Sequence, residues 1–154
     1  MKNESSELAC LLIPISQTSL VLPNVTVAEI LPWRRIKAWK EAPSWCLGLF
    51  GWRGETVPVL RFEGLNGQQD YPSSGRILLI MNRARHKGGR AFYGLAVDGL
   101  PRLVHVSSDD LESQSSTLQP AEVACVRVGS ETATVPNLSF IEEQISLLPK
   151  IGGK

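Results

Sequence analysis

Short apolar runs, broken every few residues by Gly, Pro, Asn or Ser, recur along almost the whole chain. That spacing constrains the fold more than any other feature, because it marks a sandwich or barrel and leaves no room for alternating βαβ units. At 154 residues the chain fits one domain, or two small barrels sharing a core. A chain of this length buries about two-thirds of its unfolded surface, so neither metal nor disulfide is needed to hold it together.

The runs assign elements. Leu11 to Ile15 and Leu20 to Leu22 read as two strands joined by the polar loop Ser16-Gln17-Thr18-Ser19. Thr26 and Glu29 have capping-box spacing, which predicts a short helix over Thr26 to Leu31, stopped by Pro32 and presenting Val27 and Ile30 near Glu29. Trp33 to Pro43 shows neither period and reads as loop. Trp45 to Trp52 and Thr56 to Phe62 form a hairpin across Arg53-Gly54-Glu55, where Gly54 supplies the positive φ of a tight turn. The polar, turn-rich stretch from Leu65 to Gly75 is the expected boundary between two halves.

Beyond it, Arg76 to Asn82, Arg90 to Val97 and Leu100 to Ser107 have the near-continuous apolar text of strands buried on both faces. Ser107 to Pro120 reads as loop. Val123 to Val128 and Glu131 to Val135 are joined by Gly129-Ser130, a two-residue link with Gly first, as a type II′ turn prefers. Asn137 caps a helix with Leu138, Ile141, Ile145 and Leu148 on one face and Glu142, Glu143 and Gln144 on the other, ended by Pro149. The layout is therefore a flexible N-terminus over 1–7, one domain over 8–148 and a short tail over 149–154.

The composition is ordinary for a soluble globular protein, with 43% hydrophobic and 20% charged residues. The longest apolar runs, such as Ile77 to Met81, are strand-sized, and Met1 to Glu7 lacks the basic start and apolar stretch of a secretory signal. A cytoplasmic location is expected. A net charge of +1 built from near-equal numbers of both signs gives no global field toward nucleic acid or an anionic membrane. Cys10, Cys46 and Cys125 are odd in number, widely spaced and set among apolar residues, which reads as buried, reduced thiols.

Enzyme signatures are absent: there is no nucleophile elbow, P-loop, dinucleotide fingerprint or His-Glu-x-x-His. His86 and His105 have no Cys or acid at ligand spacing, so neither metal nor cofactor is expected. Asp109-Asp110 and Glu142-Glu143 are adjacent acids that point apart, and they read as solvated faces. The basic cluster Arg83, Arg85, His86, Lys87 and Arg90, beside Phe92 and Tyr93, supports an alternative in which an SH3- or OB-like module binds nucleic acid. Its Gly88-Gly89 centre favours a solvated turn instead. Four tryptophans, Trp33, Trp39, Trp45 and Trp52, lie in the first third of the chain. Trp33 and Trp39 sit beside Arg34, Arg35, Lys37 and Lys40, a pairing typical of docking surfaces.

Ala42-Pro43-Ser44-Trp45-Cys46-Leu47-Gly48-Leu49-Phe50-Gly51-Trp52-Arg53-Gly54-Glu55-Thr56-Val57-Pro58-Val59 resembles the signature of the CheW-like adaptor family. Val25-Thr26-Val27-Ala28-Glu29-Ile30 and Tyr93-Gly94-Leu95-Ala96-Val97-Asp98-Gly99-Leu100 extend the resemblance over nearly all of Leu8 to Leu148. The resemblance implies two five-stranded SH3-like barrels around a shared core and no active site. It also implies a function: coupling the cytoplasmic tips of methyl-accepting chemoreceptors to the regulatory domain of a CheA-type histidine kinase, in arrays that can include other CheW-like proteins. Glu29 and Arg53 fall on the family's binding Glu and turn Arg, with Val27, Ile30, Gly48 and Trp52 around them, and Val97, Asp98 and Gly99 lie near surfaces used for the kinase. The chain departs from the usual pattern at Gly51, at Trp52 in place of Leu, and at Arg61 in place of an acid. The wording Leu22-Pro23-Asn24-Val25, Trp52-Arg53-Gly54 and Phe62-Glu63-Gly64-Leu65-Asn66-Gly67 is similar to the ChpC subgroup, which serves type IV pili and twitching.

Overall fold

The computed structural model describes residues 7–82, 92–111 and 118–149. It contains ten strands: β1 (Leu8–Pro14), β2 (Ser19–Pro23), β3 (Val27–Pro32), β4 (Cys46–Trp52), β5 (Glu55–Leu60), β6 (Ile77–Asn82), β7 (Phe92–Val97), β8 (Arg102–Val106), β9 (Glu122–Val128) and β10 (Glu131–Pro136). Two helices, α1 (Phe62–Leu65) and α2 (Leu138–Ser146), complete the regular elements together with 3-10 turns at Asn24–Thr26 and Ser108–Asp110. No helix among the described residues is long and apolar enough to cross a membrane.

The strands form two five-stranded sheets, ordered β8-β1-β2-β10-β9 and β3-β6-β7-β5-β4. Each curls around its own core, as in an SH3-like barrel, and the two share a third core between them. Alternation along single strands explains the unbroken apolar text. In β6, Leu78 and Ile80 enter the core of the second barrel, whereas Leu79 and Met81 enter the shared core. In β1 and β2, Cys10, Leu12 and Val21 fill the first barrel while Ile13, Leu20 and Leu22 face the shared core. The helix α2 closes that core with Ile141 and Ile145, and Leu148 just beyond its end adds to the same cluster. The N-cap predicted at Asn137 forms, its Oδ1 accepting the Phe140 amide at 3.0 Å. Gly129 takes φ +62°, the positive angle its turn requires.

Four expectations change. The helix near residue 28 is absent: the helical turn is at Asn24–Thr26, and Val27–Pro32 is strand paired with β6. The Thr26 hydroxyl donates to the Pro23 carbonyl at 2.7 Å instead of capping, and the cross-strand bonds of β3 outweigh one turn of local helix. The polar stretch from Leu65 to Gly75 does not separate two halves, because β5 before it and β6 after it belong to the same sheet. The first sheet instead gathers strands from both ends of the chain. Strand β8 is a sheet edge, with Val104 and Val106 packed inward and Leu103 56% exposed, so only one of its faces is buried. Finally, Glu142 is buried while its neighbour Glu143 is exposed, so the inward face of α2 is not confined to the apolar positions expected of it.

Candidate functional site

The second sheet has β3 and β4 as its two edges, with no backbone pairing between them. Side chains close one end of this seam. The Trp52 indole of β4 donates to Glu29 Oε1 of β3 at 2.8 Å, and Arg53 Nη2 reaches the same oxygen at 3.3 Å. The guanidinium also lies 5.1 Å from the centre of the Trp52 ring. Phe92 of the central strand β7 meets that ring edge-on at 4.8 Å, anchoring it on the core of the second barrel.

Local sequence explains how each group arrives there. A one-residue bulge at Ala28 shifts the register of β3 between Val27 and Glu29 and re-aims the glutamate. Trp52 pairs with Glu55 across a two-residue turn in which both Arg53 and Gly54 have positive φ, +49° and +79°. This is the type I′ pattern, whose twist suits a hairpin but is unfavourable for an arginine by roughly 1 kcal/mol. The Arg53 side chain is 71% exposed and that of Glu29 33%, so their ion pair adds little stability. What the arrangement supplies is orientation: a planar cation held on a rim by a carboxylate and a ring. Both donors land on Glu29 Oε1.

A second cluster lies at the other end of the sheet, around Arg61. This side chain is fully buried. Its Nε donates to Glu63 Oε1 at 3.0 Å and its Nη2 to Glu63 Oε2, while Nη2 reaches Asp98 Oδ2 at 2.8 Å and Nη1 reaches the Ser74 carbonyl at 2.9 Å. Glu63 Oε2 also accepts the Ser16 amide at 3.0 Å, and the Asp98 amide donates to the Pro14 carbonyl at 2.9 Å. Both of these contacts reach from the second sheet side to the β1–β2 region of the first. Burial works to lower the Arg61 pKa, but hydrogen bonds and charge from Asp98 and Glu63 outweigh it and hold the guanidinium above its ordinary value. Burial likewise pushes the Glu63 carboxyl up, yet the Arg61 hydrogen bond and the Ser16 amide keep it below the usual carboxylate range.

The expected site residues therefore divide. Glu29, Trp52 and Arg53 come together, and Ile30, on the same strand, is 42% exposed. Val27 is half-buried against the shared core. Gly48 is buried in a bulge of β4 with φ +151°, and a Cβ there would stand 2.1 Å from the Lys37 carbonyl oxygen. It is a packing position. Val97 is buried in the shared core, Asp98 is committed to Arg61, and Gly99 packs against Pro14. Val97 is five residues along β7 from Phe92, roughly 17 Å from the Trp52 rim, so this segment fastens the two sheets and is not part of the Glu29 cluster.

Phe92, read from the sequence only as part of the alternative nucleic-acid surface, instead supports Trp52, and the Arg61 and Glu63 pair was not foreseen as a site element. An arginine two residues from a glutamate in an otherwise apolar segment was the available signal for the pair. The basic cluster Arg83, Arg85, His86, Lys87 and Arg90 lies outside the described residues. Cys10, Cys46 and Cys125 form no disulfide with one another; Cys10 and Cys46 are buried and Cys125 is half-buried, with burial raising the Cys10 pKa. Among the described residues, no group of three or more His, Cys, Asp or Glu is placed to hold a metal ion.

Comparison with known proteins bears on the fold and the family. A search of curated protein sequences gives no match. Among solved structures, the chain is similar to the scaffolding protein TtCheW from Thermoanaerobacter tengcongensis, with a TM-score of 0.70 at 15% identity, over 85% of this chain and 89% of that one. At that identity the likeness speaks for the fold. The family model described as CheW-like domain matches residues 9–145. With two five-stranded sheets around a shared core and that match over nearly its whole length, the chain belongs to the CheW-like domain family.

Proposed function

We propose that the chain is a non-catalytic scaffold that couples the cytoplasmic tips of chemoreceptors to the regulatory domain of a CheA-type histidine kinase. Membership of the CheW-like family supports the general role. The observation that carries it to particular residues is the rim where Glu29, Trp52 and Arg53 converge. Arg53 keeps a strained backbone and a 71% exposed, pre-oriented guanidinium, an arrangement suited to a two-pronged contact with a carboxylate on a partner. Ile30 supplies an exposed apolar neighbour on the adjoining edge strand.

In this reading the protein works in the cytoplasm at membrane-associated receptor arrays, alone or beside other CheW-like proteins. We assign its output to type IV pili and twitching, on the ChpC-like wording around Asn24, Trp52 and Phe62 to Gly67. The test is capture of a CheA-type kinase or a receptor tip by Arg53→Glu. Weakened capture by a folded variant supports the site, and unchanged capture removes Arg53 from it. Deleting the gene is expected to impair twitching and leave swimming intact; the reverse pattern would reject the pilus assignment.

A further inference from the structure

The segment between β3 and β4 is a built strap. From residue 33 to residue 45 every third side chain, Trp33, Ile36, Trp39, Ala42 and Trp45, is half-buried, and the residues between are exposed. Apart from the Lys37 bridge, the path from Trp33 to Trp39 is irregular, and two turns follow it, with the Ala42 amide bonded to the Trp39 carbonyl at 3.2 Å and the Cys46 amide to the Pro43 carbonyl at 2.9 Å. Trp33 and Ile36 pack on the core of the second barrel, whereas Trp39, Ala42 and Trp45 pack on the shared core. Reciprocal backbone bonds between Lys37 and Leu49, at 2.9 and 2.8 Å, fix the middle of the strap to the free edge of β4. Gly48 makes the seat possible, since a Cβ there would collide with the Lys37 carbonyl and the Ile36 methyl.

The outward side of this strap carries Arg34, Arg35, Lys37 and Lys40 against one acid, Glu41. The whole chain is nearly neutral, with 16 basic and 15 acidic residues, so this row is a local excess of positive charge, as the 83–90 cluster is in the sequence. Among the described residues none of the four is in an ion pair, whereas Arg53, Arg61 and Arg102 each meet a carboxylate. The strap therefore shows a row of unpaired cations on a backbone that is already ordered, which lowers the entropy lost on docking.

We propose that this strap is a docking face for an acidic polypeptide segment, separate from the Glu29, Trp52 and Arg53 rim. The side chains present favour protein over the other polyanions. Trp33 and Trp39 direct their rings into cores, so no free ring is offered for stacking a nucleic-acid base. No large apolar side chain of the strap is exposed, so it has no anchor for insertion into a bilayer. Recognition rests on a line of charges, which a run of carboxylates complements.

The test uses the full chain and its R34Q/R35Q/K37Q/K40Q variant, which keeps the inward residues and the Lys37 backbone bonds. Three probes are measured at low salt: a fluorescent deca-glutamate peptide, a single-stranded thymidine oligonucleotide, and vesicles of mixed phosphatidylcholine and phosphatidylserine. The variant is expected to melt like the parent and to lose about tenfold or more in peptide affinity, with a smaller loss for the other two probes. Added salt weakens the parent's peptide binding and has little effect on the variant's. Equal peptide binding by parent and variant would overturn the proposal, as would a larger loss for the oligonucleotide or the vesicles. Either result would leave the receptor and kinase reading of the rim untouched.

Discussion

Trp52 of β4 donates its indole N–H to Glu29 of β3 at 2.8 Å, so one side chain from each edge of the second sheet spans a seam that the backbone leaves unpaired. The bond ties the hairpin turn to the opposite edge strand, which places Arg53 and Glu29 on one rim. The seam, the turn and the candidate site are therefore a single mechanical unit.

Trp52→Phe keeps a ring against Phe92 but removes the donor. Loss of one partly buried, charge-assisted hydrogen bond is expected to lower stability by about 1 kcal/mol, read as a shift of the urea midpoint at constant slope. Kinase or receptor capture should fall further than that change in stability explains, because Arg53 and Glu29 lose their common anchor. A fall in stability with full capture would separate the seam from the site.

Arg61 is fully buried and bonded to both Glu63 and Asp98. Arg61→Met leaves Glu63 buried without its counter-charge and is expected to cost about 3–5 kcal/mol in chemical denaturation. Pairing it with Glu63→Gln removes that charge while an oxygen remains to accept the Ser16 amide. The double variant should recover at least half of the loss; equal or greater destabilisation would show that the charge is not the source of the penalty.

The pH dependence follows from the depressed Glu63 pKa. The folded state holds this proton less tightly than the unfolded chain, whose glutamates titrate at about 4.3. The stabilisation is therefore complete above that value and is lost as pH falls through the lower folded value. Arg61 stays protonated throughout, its pKa being raised, and adds no slope. In Arg61→Met the dependence inverts: protonating the unpaired carboxylate relieves it, so the gap in melting temperature between parent and variant should narrow from about pH 7 toward about pH 3. A gap that widens would refute the assignment.

Two glycines in the same strand should behave oppositely. Gly48→Ala places a methyl 2.1 Å from a carbonyl oxygen at φ +151°, with an expected cost of about 2 kcal/mol or more and displacement of the strap. Gly51 has an ordinary φ and open space around its Cβ direction, so Gly51→Ala is expected to change stability by no more than about 0.5 kcal/mol. Thermal melts of the pair decide the matter, and comparable losses would reject the packing role of Gly48.

Local chemistry determined a good deal of this protein on its own. Apolar runs and turn residues placed nine of the ten strands to within a few residues, Gly129 and Gly54 took the positive φ angles their turns require, and Asn137 capped α2. The exception was β3, read as a short helix from the Thr26 and Glu29 spacing, because only the pairing partner β6 makes strand the better choice there. Periodicity also could not say which core each side of a doubly buried strand would enter, nor that strands from both chain ends share one sheet, since those are contacts between residues far apart in sequence. The same limit applies to the site. Arg53 and Glu29 were visible as residues; that Trp52 joins them, that Asp98 is held by Arg61, and that Gly48 seats a cationic strap depended on distances of a few ångströms, which only the folded chain sets.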